Sequence, residues 1–285
     1  VTVQLTQLPL ADIAPGGRLE RAFLRVQAPW VERGVSRWIG LARPHGVWPC
    51  VVFGALAPDQ TLFGTLVAIW APEALDRFDT LFEAACPGGH TALSRPAGGV
   101  WHFIAVTRSP QGAGLNIGRI LVRRAISWVR GHGGPEVQAR TLSPAVGLPE
   151  LLQMVGASND GVGVERALRG TADTQGRPML PIMRLHLGAG GWLDAALLDS
   201  RSDDEDSGGV TLRFGYELDG GQRDARLVAY RLWLRDRQAT IADGDSVPIQ
   251  WDTSGSPTGW SIGDHDDERV VRVPLVRTPR GSAGH

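Results

Sequence analysis

The chain has 285 residues, 42% of them hydrophobic, and a formal net charge of −1. That is ample length for a buried core, and the near-neutral balance gives no reason to expect a nucleic-acid partner. The 29 basic side chains are all arginine, so Schiff-base chemistry, a phosphate-loop lysine and a lysine general base are excluded.

No apolar run reaches membrane-spanning length, and the first residues lack the basic-then-apolar layout of a signal peptide. Cys50 and Cys86 have no metal-ligand spacing and support no disulfide framework, which points to a reduced, cytoplasmic protein. Val1 in place of Met is expected of a segment cut from a longer polypeptide.

In chain order, Thr2–Gln7 reads as a first strand, followed by helices around Gly17–Val26 and Trp30–Ala42. Pro49–Leu56 and Thr61–Trp70 are β-rich and flank a hairpin turn at Ala57–Gln60. Pro72 opens a predicted helix, Glu73–Ala85, with Leu75, Phe78, Leu81 and Phe82 on one face. A Gly/Pro-rich loop, Pro87–Gly99, leads to the strand Val100–Thr107.

A strand–helix–strand crossover then follows: Val100–Thr107, a Gly-rich turn, helix Ile117–Arg130, and strand Glu136–Thr141. Ile117, Ile120, Leu121, Ala125 and Trp128 form the predicted buried stripe, and Arg119, Arg123 and Arg130 the opposite face. Leu148–Val155 reads as a short helix and Gly156–Gly176 as a polar, mobile loop. Pro178–Gly190 reads as helical, and Trp192–Leu198 and Val210–Glu217 as closing strands. The acidic turn Asp203–Asp206 between those strands is expected to be exposed. Ser254–His285, rich in Gly, Ser, Pro and Asp, has the composition of a linker or docking tail.

A Gly-rich turn that opens straight into a helix aims backbone N–H groups and the positive end of the helix dipole at a phosphate. The element order and this turn resemble the GNAT fold, whose signature is Arg or Gln, two residues, Gly, one residue, then Gly or Ala. From Gln111 the match includes Gly114, with Asn116 in the last position; in the other register Gly118 fits. Arg184-Leu185-His186-Leu187-Gly188-Ala189 resembles a stretch of the GNAT-like decarboxylase domains in polyketide synthase loading modules. An Arg followed soon by an Asp comes next in that family; here Arg201, fifteen residues after His186, precedes Asp203 and Asp204. The family's strand-end Thr corresponds to Thr141, and its later Tyr to Tyr216.

The resemblance implies an α+β, GNAT-fold domain over residues 1–218, with a central mixed sheet splayed between its two middle strands and flanked by helices. Residues 219–285 form a C-terminal extension. It implies decarboxylation of malonyl- or methylmalonyl-type thioesters on an acyl carrier protein, giving a polyketide starter unit. His186, Thr141 and Arg201 are the implied catalytic residues. Ile104, Val106 and Thr107 line the phosphopantetheine arm, and Gly112, Ala113, Gly114, Asn116 and Gly118 surround its phosphate. No cofactor of its own is implied, since the thioester is itself the electron sink and arrives on a carrier-protein arm or coenzyme A. The implied partners are the carrier protein and neighbouring synthase domains, with neither nucleic acid nor membrane. Trp30 or Trp38 would wall the acyl chamber.

Two rivals share the fold. An acyl-CoA-dependent acyltransferase would move an acyl group to a carrier thiol or to an amine. Amine acetyltransferases commonly carry a Tyr acid on the helix after the Thr141 strand, and Leu148–Val155 has none. A non-catalytic scaffold domain would be expected to lose the His/Thr pair.

Overall fold

The computed structural model describes residues 3–28, 48–76, 85–86, 98–112, 116–133, 136–170, 177–200, 204–219 and 221. The expected helix over Trp30–Ala42, with Trp30 and Trp38, lies outside the described residues, as do Ala113, Gly114, Arg201 and nearly all of the C-terminal extension. The chain divides into two compact units, one of residues 1–142 and 216–219, the other of residues 143–215 and 220–285.

The first unit contains β1 (Gln4–Gln7), α1 (Leu10–Ile13), α2 (Glu20–Val26), β2 (Trp48–Leu56), β3 (Leu62–Ala71), β4 (Ala85–Cys86), β5 (Val100–Arg108) and α3 (Ile117–His132). The strand β6 (Gln138–Pro144) carries the chain from this unit into the next. Hydrogen-bonded neighbours run β1-β2-β3-β5-β6, and β4 pairs off this path with β2. Each neighbouring pair among β1, β2, β3 and β5 is antiparallel, whereas β5 and β6 are parallel, as a crossover through α3 requires.

β2 and β3 are nearly continuous apolar runs because they lie in the middle of the sheet with both faces covered. On α3 the predicted stripe is buried except for Ile120, which is half-buried; Val122, Ile126 and Val129 widen the apolar face. Trp128 anchors that face, edge-on to Trp101 at 5.0 Å and to Phe53 at 5.9 Å, with His132 stacked on it at 4.4 Å. Close packing of α3 depends on Gly64 in β3, where a Cβ would stand 2.5 Å from Ile117 Cγ2 and 2.7 Å from the Thr107 carbonyl oxygen.

The predicted helix Glu73–Ala85 does not form at its ends. Glu73 to Asp76 are irregular, and Ala85–Cys86 pairs in parallel with Trp48–Pro49 as β4. Pairing with the start of β2 satisfies backbone groups there that a helix would have satisfied internally.

The second unit holds α4 (Leu148–Val155), α5 (Gly161–Gly170), α6 (Pro181–Leu187), β7 (Gly191–Leu197) and β8 (Thr211–Tyr216), with sheet order β6-β8-β7. Its core gathers Leu148, Leu151 and Leu152 of α4, Val164 and Leu168 of α5, and Phe214 of β8. α4 ends at Gly156, whose φ of 60° is the left-handed conformation favoured at that position.

Gly156–Gly176 is not a loop throughout, because α5 occupies its centre. Val164, Ala167 and Leu168 recur at helical spacing and are fully or nearly fully buried, while the glycines and charges around them hide that stripe in the sequence. Asp160 starts the helix by accepting the Gly163 amide at 2.7 Å. The acidic turn is likewise not exposed throughout. Asp204 is buried, and its carbonyl accepts the amides of Ser207 and Gly209, closing the turn Glu205–Ser207.

Among the described residues, no helix is long and apolar enough to cross a membrane.

Candidate active site

The β5–β6 ladder begins at Val100↔Gln138 and ends at Phe103↔Thr141. Immediately beyond, β5 bulges. Against β3 it pairs Ile104 with Val67 and Thr107 with Thr65, so one extra residue is accommodated, and Ala105 takes φ 48°. A bulge re-aims a strand, which is what a splay between two central strands needs.

The residues assigned to the pantetheine arm lie on this part of β5. Ile104 is buried and Val106 half-buried. Thr107 is buried and its hydroxyl lies 3.0 Å from that of Thr65. Past β5, Pro110–Gly112 forms a tight turn in which the Gly112 amide donates to the Ser109 carbonyl at 2.9 Å. That N–H closes the turn. Asn116 is exposed and precedes α3, with its carbonyl taking the Ile120 amide at 3.1 Å. Gly118, half-buried, lies in the first turn of the helix.

Thr141 is fully buried on β6, and its hydroxyl donates to the Phe103 carbonyl at the point where the ladder ends. Tyr216 packs against Phe103, ring centres 5.4 Å apart, and burial pushes its phenol well above the ordinary range.

In the second unit the central residue is His186, in the last turn of α6 and fully buried. Its Nε2 lies 3.0 Å from Ser143 Oγ, and its ring packs on Phe214 at 4.6 Å. Burial lowers the His186 pKa to about 3, so the imidazole is neutral at physiological pH. A neutral imidazole carrying its proton on Nε2 donates to the Ser143 oxygen.

Ser143, the partner of His186, is a candidate site residue that sequence reasoning missed. The strand was expected to stop at Thr141, yet it continues to Pro144. Side chains two apart on a strand share a face, so Ala139, Thr141 and Ser143 form one row. That period-two pattern in Ala139-Arg140-Thr141-Leu142-Ser143 was the available signal. Downstream, Ser200 donates to Thr211 Oγ1 at 2.6 Å, while Arg201 itself lies outside the described residues.

No protein-family model matches the sequence, and no curated protein matches it. Solved structures do. A malonyl-CoA decarboxylase from Cupriavidus metallidurans is 15% identical with a TM-score of 0.52, covering 85% of this chain and 65% of its own. The GphF GNAT-like decarboxylase, in complex with isobutyryl-CoA, is 17% identical with a TM-score of 0.49, covering 76% of this chain and 100% of its own. The loading GNATL domain of CurA from Lyngbya majuscula is 16% identical with a TM-score of 0.49, covering 76% and 98%. The chain thus spans just under two thirds of the length of the malonyl-CoA decarboxylase it matches. In architecture it is α+β, a mixed sheet with flanking helices in the GNAT-like fold.

Proposed function

We propose that this chain decarboxylates a malonyl- or alkylmalonyl-thioester delivered on the phosphopantetheine arm of an acyl carrier protein, supplying the acyl starter unit for polyketide synthesis. The observation that carries the reading is the buried Ser143–His186 pair at 3.0 Å, within the second unit. The fold shared with a malonyl-CoA decarboxylase supports it, as does the likeness of the Arg184–Arg201 segment to loading-module decarboxylases.

In the reaction the bond from C2 to the carboxylate breaks and CO₂ leaves. The electron pair moves into the thioester as an enolate, and C2 then takes one proton. The barrier falls when a donor meets the charge growing on the thioester oxygen. Ser143 is that donor, and the neutral His186 donates in turn to Ser143. The proton taken by C2 comes from solvent that enters with the substrate, while Ser143 and His186 keep their own protons and act as hydrogen-bond donors. Thr141, bonded to the Phe103 carbonyl, sets the mouth where β5 and β6 separate. Arg201 pairs with the substrate carboxylate before CO₂ departs.

The same geometry weighs against acyl transfer through a serine ester. A base whose conjugate acid has a pKa of about 3 withdraws a hydroxyl proton poorly, so Ser143 acts as a hydrogen-bond donor and not as a nucleophile.

Intact-protein mass spectrometry of malonyl- and methylmalonyl-loaded carrier protein tests the reading. The expected result is loss of CO₂ that requires this chain. Transfer of acetyl from coenzyme A to the carrier or to an amine, without CO₂ loss, would replace it with the acyltransferase reading. Neither reaction would leave the non-catalytic scaffold.

A further inference from the structure

At the end of α2, Gln27 is 1% exposed, an unusual depth for an amide side chain. Its Nε2 donates to Thr65 Oγ1 at 2.5 Å and reaches the Ala105 carbonyl at 3.5 Å. Thr65 is in turn bonded to Thr107 across the β3–β5 pair at 3.0 Å. One amide therefore contacts the bulged residue and, through Thr65, the Thr65–Thr107 pair that flanks the bulge on one side. Among the described residues its own carbonyl oxygen, Oε1, is buried without a hydrogen-bond partner.

Burying an amide with one end unsatisfied costs stability, and a left-handed alanine adds strain. The strained Ala105 lies two residues past Phe103, where β5 stops pairing with β6, and the Gln27 amide that reaches it carries the unsatisfied oxygen. Strain of this kind persists only where surrounding contacts over-determine it, and the Gln27–Thr65–Thr107 chain is the contact set that does so.

We propose that Gln27 is a positioning residue that, through Thr65 and the Ala105 carbonyl, holds the β5 bulge open for the pantetheine arm. The inference rests on the thioester reading above for the identity of what enters, but not for the clamp itself.

The test uses the full chain and two isosteric variants, Gln27→Met and Thr65→Val, with Ala105→Gly as rescue. Calorimetric titration with acetyl-coenzyme A, which cannot lose CO₂, measures binding. Hydrogen exchange at the amides of residues 105–107 reads the clamp without any ligand. We expect Gln27→Met to bind about tenfold more weakly, with kcat on the loaded carrier changed less than about twofold. Exchange at the bulge should accelerate by a similar factor. Glycine adopts the left-handed conformation without strain, so Gln27→Met/Ala105→Gly should recover binding to within about threefold of wild type.

Unchanged exchange in both isosteric variants overturns the clamp, whatever the chain catalyses. Faster exchange with unchanged binding, or failure of the glycine rescue, overturns its role in ligand entry. Wild-type chain that binds acetyl-coenzyme A but releases no CO₂ overturns the proposed reaction and leaves the clamp standing on its own two readouts. Wild-type chain that does not bind it overturns the pantetheine role and leaves exchange to decide the clamp. If Gln27→Met does not fold, Thr65→Val carries the same expectations.

Discussion

Ser143 Oγ and His186 Nε2 are 3.0 Å apart in a place from which solvent is excluded, one on a strand and the other in the last turn of a short helix. Forty-three residues separate them in the chain, so the pair exists only because the unit folds. Removing the serine hydroxyl deletes one charge-stabilising donor. Ser143→Ala is expected to lower kcat by roughly 10²–10³, the range seen when a single oxyanion donor is lost. Ser143→Thr should retain more activity than Ser143→Ala. Single-turnover CO₂ release from loaded carrier protein checks both. Wild-type rates in Ser143→Ala would remove Ser143 from the mechanism.

The buried His186 also makes stability depend on pH. Its pKa is about 3 in the folded chain against a usual value near 6.5 unfolded. The unfolded state therefore binds the extra proton first. The His186 contribution is complete above about pH 6.5 and erodes as pH falls toward about 3, by up to roughly 1.4 kcal/mol per pH unit. Urea unfolding at pH 7.5 and pH 5 should show this loss, and His186→Gln should flatten it. Over the same range the rate should show no His186 titration near pH 6.5, since the imidazole is already neutral.

The crossover at the centre of the first unit was legible because its signals are local and periodic: an apolar strand, a Gly-rich turn, a helix with a clear buried face. α4 was legible for the same reason, down to its glycine stop. α5 was not, since only Val164, Ala167 and Leu168 mark its buried face within a glycine- and charge-rich stretch. Among the candidate site residues, His186 could be singled out by its neighbours in sequence. Its partner was marked only by the period-two pattern of the strand, because strand ends are set by long-range pairing, and the Ala145 amide is held by the Val210 carbonyl at 2.9 Å. Buried Asp204 failed for a related reason: its role is carried by its backbone carbonyl, which no side-chain pattern reports.

Asp160 tests the reassigned helix. Its carboxylate takes the Gly163 amide at 2.7 Å and the Ser158 hydroxyl at 2.8 Å, and the backbone bond first, then the hydroxyl, holds its pKa below the ordinary carboxylate value. The stabilisation is thus present above the unfolded value near 3.9 and lost as pH falls through the lower folded one. Asp160→Ala should reduce helical circular dichroism and lower Tm at pH 7, and the difference from wild type should close in strong acid. A loop at this position would show neither effect.

Gly64→Ala should loosen the contact between α3 and β3. A methyl placed 2.5 Å from Ile117 Cγ2 and 2.7 Å from a backbone oxygen forces the helix outward. The expected cost is about 1–3 kcal/mol, read as a lower denaturation midpoint. Ile117→Ala added to Gly64→Ala should recover part of it by vacating the space, although the truncation carries its own penalty.

Arg213 and Asp194 form a buried ion pair between β8 and β7, Nε to Oδ2 2.6 Å, with side-chain exposures of 4% and 8%. Desolvating two charges absorbs most of what their attraction returns, so the pair contributes little net stability while it is intact. Breaking it is different, because a buried charge then loses its oppositely charged neighbour. Arg213→Met alone is therefore expected to cost about 3–5 kcal/mol. Arg213→Met with Asp194→Leu should cost much less than the sum of the two single changes, and a double-mutant cycle in urea measures the coupling directly. The single Asp194→Leu variant should fall with Arg213→Met, since either change removes the ion-pair partner of the other. Additive costs would mean that the two side chains are solvated independently, and the second unit would then owe its sheet to the apolar packing around Phe214 alone.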